Sequence, residues 1–173
     1  AVSKIVGRYA GDFDESAIAG AALESLAENT SDAVIAPLFW GALFGLPGLV
    51  VYKAINTGDS MIGHKNDRYG EFGWATARLD DLVNLIPARF TGLIYIGLAR
   101  APFKAARIML KEAGRHSSPN AGWPEAALAA ALGVRLSGPR IYDGIFRSDP
   151  WLNEIGRDPD TEDLNTGLHI FNR

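Results

Sequence analysis

Three carboxylates recur at four-residue intervals early in the chain, Glu24, Glu28 and Asp32, with Asn29 and Ser31 among them. On an unbroken helix that spacing lines all three along one side. Oxygen donors of this kind suit Mg2+, which is commonly held through one or two carboxylates and the phosphates of a substrate. A solvated helix face has the same spacing, so position decides the interest of the row. It stops where an uncharged run of twenty residues, Ala33 to Tyr52, begins. Carboxylates stacked at such a boundary repel one another unless a cation joins them.

A second acidic group, Asp80-Asp81, is preceded by Arg78 and followed by Asn84 and Arg89. Asp80 and Asn84 share a helical face, and Arg78 lies one turn from Asp81. Mg2+-phosphate binding and a plain ion pair to Arg78 fit this pattern equally. A third group, Lys53, Asn56 and Ser60, falls on one face where the uncharged run ends, with Asp59, His64 and Lys65 after it. A lysine there either snorkels to a lipid interface or binds phosphate or carboxylate. A lone histidine such as His64 is more often a satisfied residue than a base.

The loop Ser118-Pro-Asn-Ala-Gly-Trp-Pro-Glu125 is stiffened by two prolines and presents the Asn120 amide and the Glu125 carboxylate. Arg100, Lys104, Arg107, Lys111 and Arg115 form a helical stripe. Beside a membrane segment, its expected partner is anionic headgroups on the cytoplasmic side; otherwise it is a solvated face.

The elements that must position these groups read as helices. Asp14 is placed to cap a helix over residues 15–28. The uncharged run, as one helix, covers about 30 Å, the thickness of a bilayer's hydrocarbon core. Its ten Val, Ile, Leu and Phe residues favour insertion by roughly 3–6 kcal/mol. Pro37, Pro47 and three glycines oppose that, and equally suit a kinked helix buried in protein. A long helical pattern from Trp74 to about Leu98 should kink at Pro87. Its second half is nearly balanced for insertion because Arg89 cancels about 3 kcal/mol, so it reads as half-buried against another helix. An alanine-rich helix spans 125–132, short β pieces fall within 134–146, and Asp158–Asp163 opens a last helix ending near Phe171. The expected fold is all-α, a helical membrane-associated protein with one or two membrane-depth helices and a minor β-hairpin.

Composition narrows the function. The 173 residues carry 17 basic and 20 acidic side chains, a net charge of −3, which excludes a broadly basic nucleic-acid surface. Without cysteine there is no disulfide, thiolate catalysis or Cys-ligated zinc. No Walker loop, dinucleotide fingerprint, nucleophile elbow or kinase motif is present. No secretory signal opens the chain.

Read in order, Glu24-Ser-Leu-Ala-Glu-Asn-Thr-Ser-Asp32, Ile35-Ala-Pro-Leu-Phe-Trp40, Tyr52-Lys-Ala-Ile-Asn-Thr57, Asp59-Ser-Met-Ile-Gly63, Ala77-Arg-Leu-Asp-Asp81, Pro87-Ala-Arg89 and Ser118–Ala126 resemble the adenosylcobinamide-phosphate synthases of cobalamin biosynthesis. The resemblance covers nearly the whole chain, from the family's middle onward. It departs from the family pattern at Tyr9 and at Ala33. It implies a single helical domain that is a fragment or shortened relative lacking upstream hydrophobic spans. It further implies an ATP- and Mg2+-dependent amide ligase at the cell membrane, multi-pass or membrane-associated, with its site facing the cytoplasm. Such a ligase joins adenosylcobyric acid to aminopropanol phosphate, and homo-oligomers or other corrin-pathway enzymes are its expected partners. A non-catalytic membrane scaffold for those enzymes is the alternative, and a phosphotransferase acting on a lipid a third.

Under the ligase reading, Glu24, Glu28, Asp32, Asp80 and Asp81 are the expected metal ligands. Lys53, Lys65, Arg78 and Arg89 are expected to meet phosphates, and Asn56, Asn120 and Glu125 to orient the substrate. The base that frees the amine is Glu28, Asp59 or His64.

Overall fold

The computed structural model describes residues 15–62, 70–142 and 145–172. Helix α1 (Glu15–Asn29) buries Leu23 and Ala27. Asp14, its expected cap, lies outside the described residues. The chain then widens into a π-helical turn, Thr30–Ile35, before α2 (Ala36–Ile62). A π turn takes more residues than an α turn, so Asp32 leaves the file that Glu24 and Glu28 would otherwise share with it.

The uncharged run departs from the single 30 Å rod expected of it. Among the described residues, Glu15–Met61 is the one stretch long and apolar enough to cross a membrane without a bent pair being counted as a span. Its backbone nevertheless reverses at Gly45, where φ is 65° and ψ is −155°, a conformation that L side chains rarely adopt. Beyond that point the chain returns along itself. A Cβ built on Gly41 would lie 3.6 Å from Leu49, and one on Gly48 2.5 Å from the Trp40 carbonyl oxygen. Residues eight apart on a straight helix are about 12 Å apart, so these contacts require a hairpin of two helical arms. Trp40 stacks on Phe44, with ring centroids 5.8 Å apart. Pro47 sits in the first turn of the returning arm, where its missing N–H has no helical partner to lose. Gly45 and Pro47 thus belong to a turn. The kinked helix buried in protein is not found, since Leu38, Leu43, Phe44, Leu46, Val50 and Val51 are all more than half exposed.

Helix α3 (Gly70–Val83) packs on the returning arm, with Thr76 beside Gly58. It is joined to α4 (Leu85–Leu98) through Asn84, and the two axes bend by 46°. The break therefore falls three residues before Pro87, whose ring lies in the first turn of α4. Because Pro87 has no N–H, the Val83 carbonyl lacks its helical partner. The Trp40 indole N–H donates to that oxygen at 3.0 Å.

Helix α4 is half-buried, as expected, hiding Ala88, Thr91, Tyr95 and Ile96 while exposing Ile86, Phe90 and Leu93. It lies on α6 (Gly122–Leu132), whose small Ala126, Ala127 and Ala129 are completely buried. Close approach is needed here: a Cβ on Gly92 would stand 3.2 Å from the Trp123 carbonyl oxygen. Between these two helices, α5 (Pro102–Glu112) adds Ala105 and Met109 to the core, and its basic residues Lys104, Arg107 and Lys111 are exposed.

Two short antiparallel pairs follow, β1 (Leu136–Ser137) with β4 (Trp151–Leu152) and β2 (Arg140–Tyr142) with β3 (Ile145–Arg147). The second is the expected minor hairpin. Helix α7 (Thr161–Phe171) begins with a capping box between Asp160 and Asp163. The fold is all-α with minor β structure, as the periodicity predicts.

Candidate active site

The hairpin brings its two polar ends together. Asp32 precedes Gly45 by thirteen residues and Asp59 follows it by fourteen. Both line one cavity of about 180 Å3, together with Glu28, Asp80, Asp81, Asn84, Ser118 and Asn120. Its walls come from α1, the π turn, the returning arm, the α3–α4 break and the Ser118–Pro124 loop. A larger cavity of about 350 Å3 lies against the hairpin, but Trp40, Phe44, Pro47, Val51 and Val83 make it apolar. Polar chemistry belongs to the smaller one.

Tyr52 knits these walls. Its ring is 2% exposed. Its hydroxyl is 3.0 Å from both the Asp32 carbonyl oxygen and Asn84 Oδ1, sharing one proton between them. Asn84 Nδ2 in turn donates to Asp80 Oδ2 at 2.9 Å. Asn56 Nδ2 donates to Asp80 Oδ1 at 3.3 Å, and Lys53 Nζ donates to Asn56 Oδ1 at 2.9 Å. Both oxygens of Asp80 are therefore oriented by amides, and a lysine stands one residue behind.

Five carboxylates, Glu28, Asp32, Asp59, Asp80 and Asp81, line this space without a cationic side chain among the lining residues. Burial, reinforced by the charges of Asp80 and Glu28, pushes the Asp32 carboxyl up to about 7. Burial also raises Asp80, against the opposing N–H donors of Asn56 and Asn84. The Asn120 amide is 8% exposed; its Nδ2 donates to the Asp81 carbonyl at 2.7 Å, and among the described residues its Oδ1 has no partner. A buried amide oxygen beside crowded carboxylates is a donor set that could hold a cation.

That set suits Mg2+ in one specific sense. Among the described residues, no three His, Cys, Asp or Glu side chains stand close enough to hold a metal alone. Mg2+ is usually bound by one or two carboxylates, with water and phosphate oxygens completing six positions. The cavity fits such a shared site and does not fit an all-protein cage.

Other expected site residues lie elsewhere. Glu24 Oε1 accepts the Ser137 backbone N–H at 2.9 Å and does not line the cavity. Arg89 lies over the Trp123 ring, 4.3 Å from its centroid, and donates to the Leu85 carbonyl at 2.7 Å. Arg78 pairs with Asp81 at 2.8 Å on the exposed side. Glu125 is 1% exposed beneath the loop, with one oxygen 3.7 Å from His116 Nε2. His64 and Lys65 lie outside the described residues. Tyr52 and Trp40, which join the elements, stand in the sequence only as members of resembling blocks, because an aromatic in an apolar run reads as packing. The sequence signals for Tyr52 are its place as the last residue before Lys53 and as the first of the resembling block Tyr52–Thr57.

Comparison with known proteins agrees with the sequence resemblance. Residues 1–171 match the family model described as CobD/Cbib protein. The chain is 59% identical to the cobalamin biosynthesis protein CobD of Rhodobacter capsulatus over 173 residues, all of this chain and 55% of that protein. It is 53% identical to CobD of a Sinorhizobium species over 99% of this chain and 55% of that one. For CobD of Brucella anthropi the identity is 51%, over 99% of this chain and 54% of the relative. The chain thus spans about 55% of the length of these curated relatives. No solved structure matches it.

Proposed function

The chain belongs to the CobD/Cbib family of cobalamin biosynthesis, and from that premise we propose that it carries the catalytic portion of an ATP-dependent amide ligase. The reaction joins the free carboxyl of adenosylcobyric acid to the amine of aminopropanol phosphate at a membrane surface. One observation supports this above the others: five carboxylates and an unpartnered amide oxygen converge on a small polar cavity.

A carboxylate does not condense with an amine in water, and ATP with Mg2+ supplies the missing activation as an acyl phosphate or its equivalent. The residues that would hold the metal are Asp32 and Asp80, with Asp81 and the Asn120 oxygen beside them. Glu24, committed to Ser137, is left out of that set. Lys53, held by Asn56, offers positive charge to a phosphate, and Arg78 does so from the exposed side of Asp81. Glu28 and Asp59 line the same cavity, and either would take the proton that frees the attacking amine. His64 and Lys65 remain proposed as base and phosphate contact. Buried beside His116, Glu125 would fix the loop that carries Asn120 and would not touch substrate.

An assay of ATP-dependent cobinamide phosphate formation tests the proposal, run on the full-length protein and on these 173 residues. Formation that requires Mg2+ and is lost on Asp80→Asn supports it. Mg2+-ATP that neither binds nor turns over in the full-length protein overturns it in favour of a scaffold.

A further inference from the structure

Residues 33–52 offer an apolar surface of unusual shape. It is exposed on both arms and at the tip, with Leu38 63%, Phe44 63%, Leu46 72% and Val51 58% exposed. It contains no charged residue, and charge resumes at each foot with Asp32 and Lys53. A docking surface for a soluble protein is expected to carry a polar rim around its apolar centre, and the arms carry none.

Depth argues in the same direction. From Ala36 to Phe44 the first arm is nine residues, about 13 Å as a helix. Half of a bilayer's hydrocarbon core is roughly 15 Å. Hydrocarbon admits only backbone whose polar groups are satisfied internally. Helical arms meet that condition, and the two arms approach closely just past the reversal, where a Cβ on Gly48 would stand 2.5 Å from the Trp40 carbonyl oxygen.

We propose that residues 33–52 form a re-entrant hairpin that sinks tip-first into the acyl chains of one leaflet and returns without crossing. Gly45 lies near mid-bilayer, and Asp32 and Asp59 stand at the same membrane face. The catalytic cavity therefore sits at the foot of the hairpin, open to one compartment. The inference rests on the membrane association proposed above and is independent of the ligase chemistry.

The chain has no cysteine, so single cysteines report cleanly. Asn29→Cys and Thr57→Cys mark the two feet, at exposed positions that do not line the cavity; Leu46→Cys marks the tip. Each is placed in the full-length protein with its other cysteines replaced and reconstituted in sealed phosphatidylcholine–phosphatidylglycerol vesicles. A membrane-impermeant maleimide is then applied from one side at a time. Both feet should react from the same side, and Leu46→Cys from neither. A fluorophore attached at Leu46→Cys before reconstitution should be quenched by lipids bearing a spin label deep in the acyl chain. Feet that label from opposite sides overturn the inference, because the segment then crosses. A tip that is silent to both maleimide and lipid quenchers also overturns it, because protein then covers the hairpin. None of these readouts needs activity, so an inactive ligase with same-side feet would reject the chemistry and keep the hairpin.

Discussion

Under the proposed ligase reading, Asp32 and Asp80 would carry the chemistry, because burial makes their negative charge costly and a cation would relieve it. The sign of the pH dependence follows from this. Asp32, raised to about 7, holds a proton below that pH that Mg2+ must displace. Affinity for Mg2+ is therefore expected to climb by up to about tenfold per pH unit below 7 and to level off above it. Calorimetry in two buffers of different ionisation enthalpy should register proton release near pH 6.5; identical heats in both would contradict the assignment. Without metal, the raised pKa means that Asp32 favours the folded state when protonated, so the apo protein loses stability as pH rises through 7. Tyr52→Phe removes the hydroxyl shared by the Asp32 carbonyl and Asn84, at an expected loss of about 1–2 kcal/mol. A urea midpoint unchanged by that substitution would show the bond to be dispensable.

At the level of elements, the hairpin and the Asn84 break do what one straight helix could not. The reversal returns Asp59 to Asp32, and the 46° bend sets Asn84 and Asp80 beside them. Gly45→Ala forces a Cβ onto a backbone at φ 65°, for an expected loss of about 1–3 kcal/mol. Resistance to unfolding in detergent should fall accordingly, while Gly97→Ala, with nothing within 4 Å of its Cβ, should leave it unchanged. Existence and type of the helices were legible from periodicity, because apolar spacing survives in a single sequence. The reversal was not: Gly45 and Pro47 announced a disturbance, but kink and turn share those residues. Nor was the π turn, since Thr30–Ile35 differs from an α-helix only in its hydrogen bonds. The acidic row divides within α1 itself, Glu28 lining the cavity with Asp32 while Glu24 reaches Ser137.

For the molecule as a whole, the packing of α1, α4, α5 and α6 buries one core, with small side chains where α4 meets α6. Leu128 is completely buried in the core formed with Leu23, Tyr95 and Met109, and Leu128→Ala is expected to cost about 2–5 kcal/mol through the cavity it leaves. Contacts between distant segments are what the sequence conceals. The stiff loop marks Asn120 in the sequence, but its partner Asp81, thirty-nine residues away, appears only in the folded chain. Arg89 was picked out for its charge, and the packing of α6 on α4 turns it onto Trp123. The central claim is that the cavity carboxylates, and not the neighbouring acidic residue on α1, hold the metal for amide formation. Its most direct test is the rate of ATP-dependent cobinamide phosphate formation by the full-length protein carrying either Asp80→Asn or Glu24→Gln. Asp80→Asn is expected to lower the rate by about 100-fold or more and Glu24→Gln to leave it nearly unchanged; an active Asp80→Asn enzyme would contradict the account.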